Sequence, residues 1–347
     1  MVLLSQRVMA QKPVEEDNAC VLNLESANEL YRQGKIELIS DQLLPCLVGN
    51  RLSKENKVRA YRLLVITQLY FNEKQRAADY MVELLKLEPE YEINENTDPT
   101  EFIQLYKNFR TKPVLLIGIK AGGNYASPQV ENNFSLDNTA NSLGEYEANL
   151  GYSAALSLEV PLLKFMSIGV DFQYSLISYE YNKKQFNYSQ VTFIEEQSWV
   201  EAPAYLKFEA LSGDFKIHAK AGAAIHYLLN AKATVSRLDS LNEELGNQTV
   251  AGPRIDITSQ RNEYYLSVIA GIGMSWKGVI GNGYLMADIG YSYGLGRINK
   301  ASERYSNDEL IYEYNYIDNN FSLDRLNFSI GYALPIYKPK LLKRKRN

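Results

Sequence analysis

The sequence predicts an α+β multidomain protein, with N-terminal helical hairpins followed by an eight-stranded antiparallel transmembrane β-barrel. Apolar residues recur every three or four positions up to residue 110 and every second position after Pro113. These are the periods of amphipathic helices and of strands. The links between the strand-like segments alternate between short and long. Tyrosine, which is enriched in strands, accounts for 26 of the 347 residues.

Composition limits the classes of partner. The net charge of −4 gives no indication of a nucleic-acid partner. The chain has no run of about 18 apolar residues, so it carries no transmembrane helix of the usual kind. Barrel strands are different, since about ten alternating residues are enough to cross a bilayer.

The first 21 residues are interpreted as the remnant of a signal peptide and a leader. MVLLSQRVMA ends in V-M-A before Gln11, and small residues at these positions favour cleavage by signal peptidase. The alternative is a terminal tail without function. In an exported chain, a single pair of cysteines, Cys20 and Cys46, favours a disulfide. Two reduced structural cysteines remain the alternative.

Residues 22–110 have the pattern of two helical hairpins and a fifth helix. Apolar stripes follow LNLESANELYRQG, KVRAYRLLVITQLY and EKQRAADYMVELLKLEP. The first hairpin contains A-x-x-L-Y-x-x-G at 27–34, and the hairpins resemble tetratricopeptide repeats of about 34 residues. The fifth helix is expected at 98–110, with Asp98 as N-cap and Pro99 at its first position.

Residues 113–337 contain eight alternating segments. In MSIGVDFQYSLISYEY, residues 166–181, the side chains of Ile168, Val170 and Phe172 alternate with small or polar ones. We expect strands at 114–124, 148–160, 165–179, 198–209, 214–229, 263–276, 283–296 and 324–336. The links after the second, fourth and sixth segments are short and the others are long. Outer-membrane barrels sort their links in this way, with short periplasmic turns and long outer loops.

The apolar face of each strand is therefore expected to point outward into lipid, and the polar face to line a narrow interior. Interfacial aromatic girdles are expected to include Trp199, Trp276, Tyr174, Tyr291 and Tyr293. The helical domain and the basic tail KPKLLKRKRN at 338–347 would then lie in the periplasm. The tail is either a solvated end or a contact with anionic headgroups or the cell wall.

Three short stretches carry a resemblance to a known family. They are I-G-I-K-A-G-G-N at 117–124, W-V-E-A-P-A-Y-L-K-F at 199–208 and G-Y-A-L-P at 331–335. Residues 113–337 resemble the PorT-like outer-membrane β-barrel family through these stretches. The resemblance implies an eight-stranded bacterial outer-membrane protein, and some family members serve protein export by the type IX secretion route. The helical front departs from the simplest members.

Charged residues on the polar face are the main candidates for a site. They are Lys120, Glu159, Asp171, Glu201, Lys207, Glu209, Lys216, Lys220 and Asp288. Because an unpaired buried charge costs several kcal/mol, we expect these groups to pair and to fill the barrel. A proton or ion path through them is the alternative.

Neither catalysis nor a bound cofactor is predicted. His218 and His226 share the inward face but are eight residues apart, too far along one strand to bind one metal. His226, toward the outer end of its strand, is the one candidate for acid–base chemistry, and its partner is not identified by the sequence.

The sequence thus favours a non-enzymatic outer-membrane barrel that anchors a periplasmic helical adaptor. Its partners would be outer-membrane lipid and a protein of the periplasm or outer membrane, and its role would lie in export or envelope assembly. A narrow pore or transport channel is the alternative.

Overall fold

The computed structural model describes residues 17–49, 51–137, 144–163, 165–210, 213–240 and 246–342. Most of the predicted leader, residues 1–16, and the last five residues of the tail lie outside these ranges. The chain divides into two compact units, Met1–Pro113 with Tyr337–Asn347, and Val114–Ile336. We call them the helical unit and the barrel unit.

Among its described residues, the helical unit contains five α-helices: α1 Asn18–Arg32, α2 Ile39–Leu47, α3 Lys54–Tyr70, α4 Lys74–Leu87 and α5 Thr100–Tyr106. Side-chain oxygens cap two of them, since Asp17 accepts from the Ala19 amide and Ser53 from the Asn56 amide. Among the described residues, no helix has both the length and the apolarity needed to cross a membrane.

Each end of the helical unit has its own apolar core. Leu24, Ala27 and Leu43 are buried between α1, α2 and α3, and Met81, Leu84 and Phe102 are buried between α3, α4 and α5. Cys20 and Cys46 are both buried and form a disulfide that joins the start of α1 to the end of α2. The disulfide therefore closes the first helical pair.

The expected start of α5 was wrong by one residue. Pro99 is the N-cap, and Asp98 does not cap the helix. The carboxylate of Asp98 instead accepts from Arg62 Nε at 2.9 Å and from the Asn94 amide at 2.8 Å. The bond to Arg62 joins two charged groups, whereas an N-cap would join the carboxylate to a neutral backbone amide, which explains the choice.

The described tail belongs to the helical unit. Leu341 pairs with Phe109 in an antiparallel bridge, and the Arg110 amide donates to the Lys340 carbonyl at 3.1 Å. Residues 338–342 are thus held by backbone hydrogen bonds.

The described part of the barrel unit contains eleven strands. They are β1 Pro113–Asn132, β2 Gly144–Ala148, β3 Leu150–Pro161, β4 Met166–Gln185, β5 Ser189–Ala210, β6 Phe215–Ser240, β7 Asn247–Ala251, β8 Ile255–Asp256, β9 Tyr264–Lys277, β10 Tyr284–Gly294 and β11 Asn320–Tyr337. Among the described residues, eight of them form a closed antiparallel ring in the order β1-β3-β4-β5-β6-β9-β10-β11. β2 pairs with β4, and β7 and β8 pair with β6.

The two ends of the ring differ. Short links join β3 to β4, β5 to β6 and β9 to β10 at one end, where β1 also begins and β11 ends. At the other end, β4, β5 and β6 run on for up to eleven residues past their predicted ends. A turn of only three residues, Phe186 to Tyr188, joins β4 to β5. The sequence analysis expected a long loop between these two strands, and the structure has a hairpin there instead. The reason is that the polar residues of this segment alternate with Tyr179, Tyr181 and Phe193, as they do in a strand.

The chemistry of the two faces inverts along β4. From Ile168 to Leu176 the exposed outward side chains are apolar, as the sequence predicted. Beyond Leu176 the inward side chains Ile177, Tyr179 and Tyr181 are apolar and buried. An apolar outer face is expected where the strand is surrounded by lipid, and an apolar inner face where it is surrounded by water. The inversion therefore marks the boundary between lipid and water along β4.

β6 crosses the same boundary with a β-bulge, where its register against β5 shifts at Ser198/Trp199. The prediction of Trp199 in a lipid-facing girdle was wrong, whereas Trp276, Tyr174, Tyr291 and Tyr293 are exposed on the outside. Trp199 shares the inward parity of Glu201, is 1% exposed and donates from Nε1 to Gln197 Oε1 at 2.8 Å.

Candidate functional site: the barrel interior and its outer core

Four of the predicted charges form a chain near the short-link end of the barrel. Lys207 Nζ lies 2.8 and 2.9 Å from the two oxygens of Glu159 and 3.2 Å from Glu209 Oε1. Lys216 Nζ lies 2.8 Å from the other Glu209 oxygen. Ser167 donates its hydroxyl to Glu159 at 2.6 Å. Alternating charge along this chain compensates every member of it.

A second group lies further along the interior. Lys120 Nζ is 2.8 Å from Asp171 Oδ2, and Tyr205 donates its hydroxyl to the other Asp171 oxygen at 3.1 Å. Across the interior, Asp288 Oδ1 is 2.8 Å from His218 Nε2 and 3.1 Å from Lys220 Nζ. The ammonium groups of Lys120 and Lys220 both lie over the Tyr205 ring.

The third group depends on a residue that the sequence analysis missed. Arg325 Nη1 forms an ion pair with Glu201, and Gln173 donates to the second Glu201 oxygen at 3.1 Å. Arg325 lies at the start of the last predicted strand, two residues before the inward-facing Asn327. Alternation along that strand therefore predicts an inward side chain, and this was the signal by which the sequence could have identified Arg325. With Arg325 included, the three groups described here contain five carboxylates and five Lys or Arg side chains.

His226 lies in a Ser–His–Glu arrangement in this third group. Its Nε2 is 2.8 Å from Ser267 Oγ, and its Nδ1 is 3.4 Å from Glu201 Oε1. However, Arg325 Nη2 is 2.9 Å from the same Nδ1. A guanidinium can only donate, so Nδ1 accepts and Nε2 carries the proton toward Ser267. In this tautomer the nitrogen next to Ser267 already carries a proton, so it cannot accept the proton of the serine. An acyl-transfer enzyme depends on that proton transfer.

The far end of the barrel is closed by an apolar cluster, which we call the outer core. It contains Ala126, Ile177, Tyr179, Tyr181, Val191, Phe193, Trp199, Leu228, Ala231, Ala233, Val235, Ile255, Ile257, Tyr265, Ile298, Leu310, Tyr314, Tyr316, Phe321 and Leu323. The rings of Phe193 and Tyr316 stack with centroids 4.0 Å apart. Strands on one side of the barrel and the segment before β11 therefore meet over the interior.

One ion cluster is buried within the outer core. Arg261 donates from Nε and Nη2 to the two oxygens of Glu195, each at 2.7 Å, and also pairs with Asp318. Arg261 and Glu195 are both 0% exposed. Burial alone would lower the pKa of Arg261, but the carboxylates of Asp318 and Glu195 outweigh it and hold the pKa above its usual range.

Lys183 is a further buried cation beyond the boundary. Its Nζ donates to the Phe134 carbonyl at 2.9 Å. Burial lowers the pKa of Lys183 to about 8, against a smaller opposing effect of the Asp137 carboxylate.

The interior leaves little open space. A cavity of about 90 Å³ lies among Lys120, Asp171, Glu201, Asp288 and Arg325. Among the described residues, no group of three or more His, Cys, Asp or Glu side chains could hold a metal. The arrangement can hold the barrel walls together by ion pairs.

The profile of one protein family, described as outer membrane protein beta-barrel domain, matches residues 104–300. This chain belongs to that family. Membership places the barrel unit in a bacterial outer membrane, with its apolar exterior against lipid. The match names neither a PorT-like subfamily nor a tetratricopeptide domain, so both remain predictions.

Several solved outer-membrane structures share a low level of likeness with the chain. Neisserial surface protein A is 13% identical, with a TM-score of 0.29, over 64% of this chain and 97% of that one. Ail, the attachment invasion locus protein of Yersinia pestis, is 11% identical, with a TM-score of 0.26, over 63% and 98%. The outer membrane protease OmpT from Escherichia coli is 9% identical, with a TM-score of 0.29, over 63% and 95%. With TM-scores this low, none of these likenesses bears on function. No curated protein matches the chain.

Proposed function

We propose that the chain is a non-enzymatic outer-membrane anchor whose helical unit binds a protein partner in the periplasm, in export of the type IX kind or in envelope assembly. The observation that carries this proposal is a group of exposed apolar side chains outside the barrel. Leu22, Leu44 and Val48 are 63%, 40% and 73% exposed. Exposed apolar groups that cluster mark sites of protein contact.

All three residues lie within two positions of a cysteine of the disulfide, at the end of the first helical pair where α1 begins and α2 ends. Leu22 follows Cys20 by two residues on α1, and Val48 follows Cys46 by two residues at the end of α2. The Asn23 amide approaches Cys46 Sγ at 3.7 Å, which fixes the two segments side by side. We call Leu22, Leu44 and Val48 the apolar end of the helical unit. Its rigid support reduces the entropy lost on binding.

The interior of the barrel supports an anchor over the alternative, a narrow pore. Each predicted lumen charge has an oppositely charged partner, and the outer core covers the far end. A hydrated ion would have to break these pairs, at several kcal/mol each. The tautomer of His226 also supports a non-enzymatic role, because the ring cannot act as a base toward Ser267.

The periplasmic orientation of the helical unit rests on the links. The chain enters β1 and leaves β11 at the end of the barrel that carries the short links. In bacterial outer-membrane barrels the short turns face the periplasm. We therefore assign the helical unit to the periplasm and the long hairpins to the cell exterior.

A photo-crosslinking side chain at Val48 tests the proposal in intact cells. We expect one discrete protein adduct from position 48. The same side chain at Glu25, exposed on α1 but outside the apolar end, should give none. Val48→Asp should abolish the phenotype of the intact protein without affecting barrel folding, because the side chain has few contacts to lose. Equal adducts from both positions, or full activity of Val48→Asp cells, would refute the adaptor role.

A further inference from the structure

Beyond the boundary between lipid and water, the wall of the barrel opens into a sheet with free edges. β1 pairs with β3 only as far as Tyr125 and Leu150, although β1 continues to Asn132. Further out, the wall consists of β2, β4, β5, β6 and β7, paired in that order. Among the described residues, β2 has no neighbour other than β4. Since its partners on β4, residues 179–183, lie past the inversion of faces, this edge of the sheet lies in water.

The edge strand β2 is held in its extended conformation from the inner side of the sheet. Tyr146 packs against the outer core, and the centroid of its ring lies 4.3 Å from that of Tyr181 and 5.8 Å from that of Phe321. At the end of β2, the Asn149 amide donates to the Ser178 carbonyl at 3.1 Å and continues the pairing with β4. An edge strand presents a row of N–H and C=O groups to which another strand can pair. Because this one is already extended, little entropy is lost when a strand is added.

The outer face of this edge is acidic. Glu145 and Glu147 are both exposed, and Glu147 lies directly opposite Glu180 of β4. Like charges in opposite positions destabilise a pair of strands. The Asn182 amide donates to Glu180 Oε1 at 2.7 Å, but within the described ranges none of the three carboxylates forms an ion pair. A Lys or Arg next to Glu145 or Glu147 on an added strand would therefore be favoured.

The other edges of the wall are less suited to select a partner. β1 contains Pro128, which has no N–H group to donate to an added strand. β7, Asn247–Ala251, carries no charged side chain. Pairing of β2 with β2 of a second copy would place glutamates beside glutamates, which is unfavourable.

We propose that β2 binds an extended segment of another protein that carries Lys or Arg at every second position. The segment adds to the sheet as a strand, through backbone hydrogen bonds to the free edge of β2. Its basic side chains lie on the outer face beside Glu145 and Glu147, and the alternate side chains point to the inner face beside Tyr146. Since the inner face belongs to the outer core, these alternate residues are apolar. The topology assigned above places the site at the cell surface, but binding itself does not depend on that assignment.

Peptide titrations of the full chain in an uncharged detergent test the proposal. The probes are fluorescent peptides with blocked termini: K-V-K-V-K-V-K, E-V-E-V-E-V-E and K-P-K-P-K-P-K. We expect the lysine–valine peptide to bind, as measured by fluorescence anisotropy, and the glutamate peptide not to bind. The proline peptide keeps the lysines but cannot pair as a strand, so it should bind at least tenfold more weakly. The bound lysine–valine peptide should also slow hydrogen exchange of the backbone amides of residues 144–148, measured by mass spectrometry.

Variants of the chain locate the site. Glu145→Gln and Glu147→Gln should each weaken binding of the lysine–valine peptide about threefold, as expected for one lost cross-strand charge pair. The combination of Glu145→Lys with Glu147→Lys should reverse the preference in favour of the glutamate peptide. Glu263→Gln is the matched control, because its side chain is 61% exposed but lies outside this part of the wall. It should leave the affinity unchanged, and so should Val48→Asp, which separates this site from the proposed periplasmic one.

Several results would overturn the proposal. Failure of the lysine–valine peptide to bind at millimolar concentration would exclude the site. Equal affinity for the proline peptide, or equal losses in Glu263→Gln and Glu147→Gln, would show general attraction of charge without an added strand. Protection from hydrogen exchange at residues 247–251 instead of 144–148 would assign the added strand to β7 and contradict the choice of β2.

Discussion

Replacement of Arg261 by methionine should disrupt the outer core. Within the part of the chain that the structure describes, Arg261 is the single cation that pairs with both Glu195 and Asp318, in a cluster with almost no solvent contact. Removing one partner of a buried pair costs about 3–5 kcal/mol, because the other charge stays buried. Here two carboxylates would lose their partner, so we expect a loss at the upper end, about 4–5 kcal/mol.

The neighbouring residue Glu196 provides the control. It pairs with Arg254, and the two side chains are 54% and 48% exposed. Arg254→Met removes the same kind of side chain from an ion pair in water. Exposed pairs contribute about 0–1 kcal/mol, so this variant should be nearly as stable as the parent.

Trp199 is the reporter for both variants. It lies in the outer core, bonded through Gln197 to Glu195. The chain has 2 tryptophans, so a Trp276→Phe background leaves Trp199 as the sole emitter. Urea titrations in lipid vesicles, followed by Trp199 fluorescence, give the free energy of opening the outer core.

A neutral version of the cluster completes the experiment. Arg261→Met combined with Glu195→Gln and Asp318→Asn should recover most of the loss, because no uncompensated charge remains. The reasoning is wrong if Arg261→Met costs no more than Arg254→Met. It is also wrong if the triple variant is less stable than the single one.

Four further outcomes follow from the structure. Phe172→Arg, on the lipid-facing exterior, should lower the free energy of unfolding in lipid vesicles by about 2–4 kcal/mol if position 172 lies near the bilayer midplane. Thr234→Arg, whose side chain points outward beyond the bulge, should lower it by less than about 1 kcal/mol. Equal losses for the two variants would contradict the assigned boundary between lipid and water. Reduction of the disulfide should destabilise the helical unit by about 3 kcal/mol by circular dichroism, and unchanged helix melting in dithiothreitol would contradict this. The pKa of Lys183 is about 8 in the folded chain, compared with 10.5 for an ordinary lysine. Between these values the unfolded chain binds more protons than the folded one, so the outer core should gain stability as the pH rises from about 8 to about 10. A gain that persists in Lys183→Met would have another source. An epitope at Gly246 should be reached by antibody on intact cells and one at Gly281 should not, and the opposite result would invert the topology.

The short-link end of the barrel could be predicted almost completely from the sequence. There the strands begin or end within a residue or two of the expected positions, because alternation in a lipid environment is strict and Gly or Pro residues interrupt it. The helices of the helical unit were predicted nearly as well, but α1 begins at Asn18, within the predicted leader, α5 ends at Tyr106 rather than at residue 110, and its N-cap is not Asp98. Its side chain found a stronger partner in Arg62, 36 residues away, which local rules cannot detect.

The outer end could not be predicted in the same way. Alternation continues along β4 past Leu176, but its meaning changes, because tyrosines then occupy the inward positions that serine and glycine held before. The bulge in β6 further shifts which residues point inward. Arg261 lies outside every predicted strand, and its partners Glu195 and Asp318 are 66 and 57 residues away. Only the closed ring brings these three together.

The inversion of faces along β4 also has a consequence for the order in which the chain assembles. The side chains of the outer core come from segments between residue 126 and residue 323. The cluster is therefore incomplete until nearly all strands have crossed the membrane. The tyrosines of the outer core and Arg261 have to reach the outer side of the boundary before their full set of neighbours is present. Formation of the outer core is therefore expected to be a late step of biogenesis, coupled to ring closure, and a chain stalled before β11 would display these tyrosines to proteases at the cell surface.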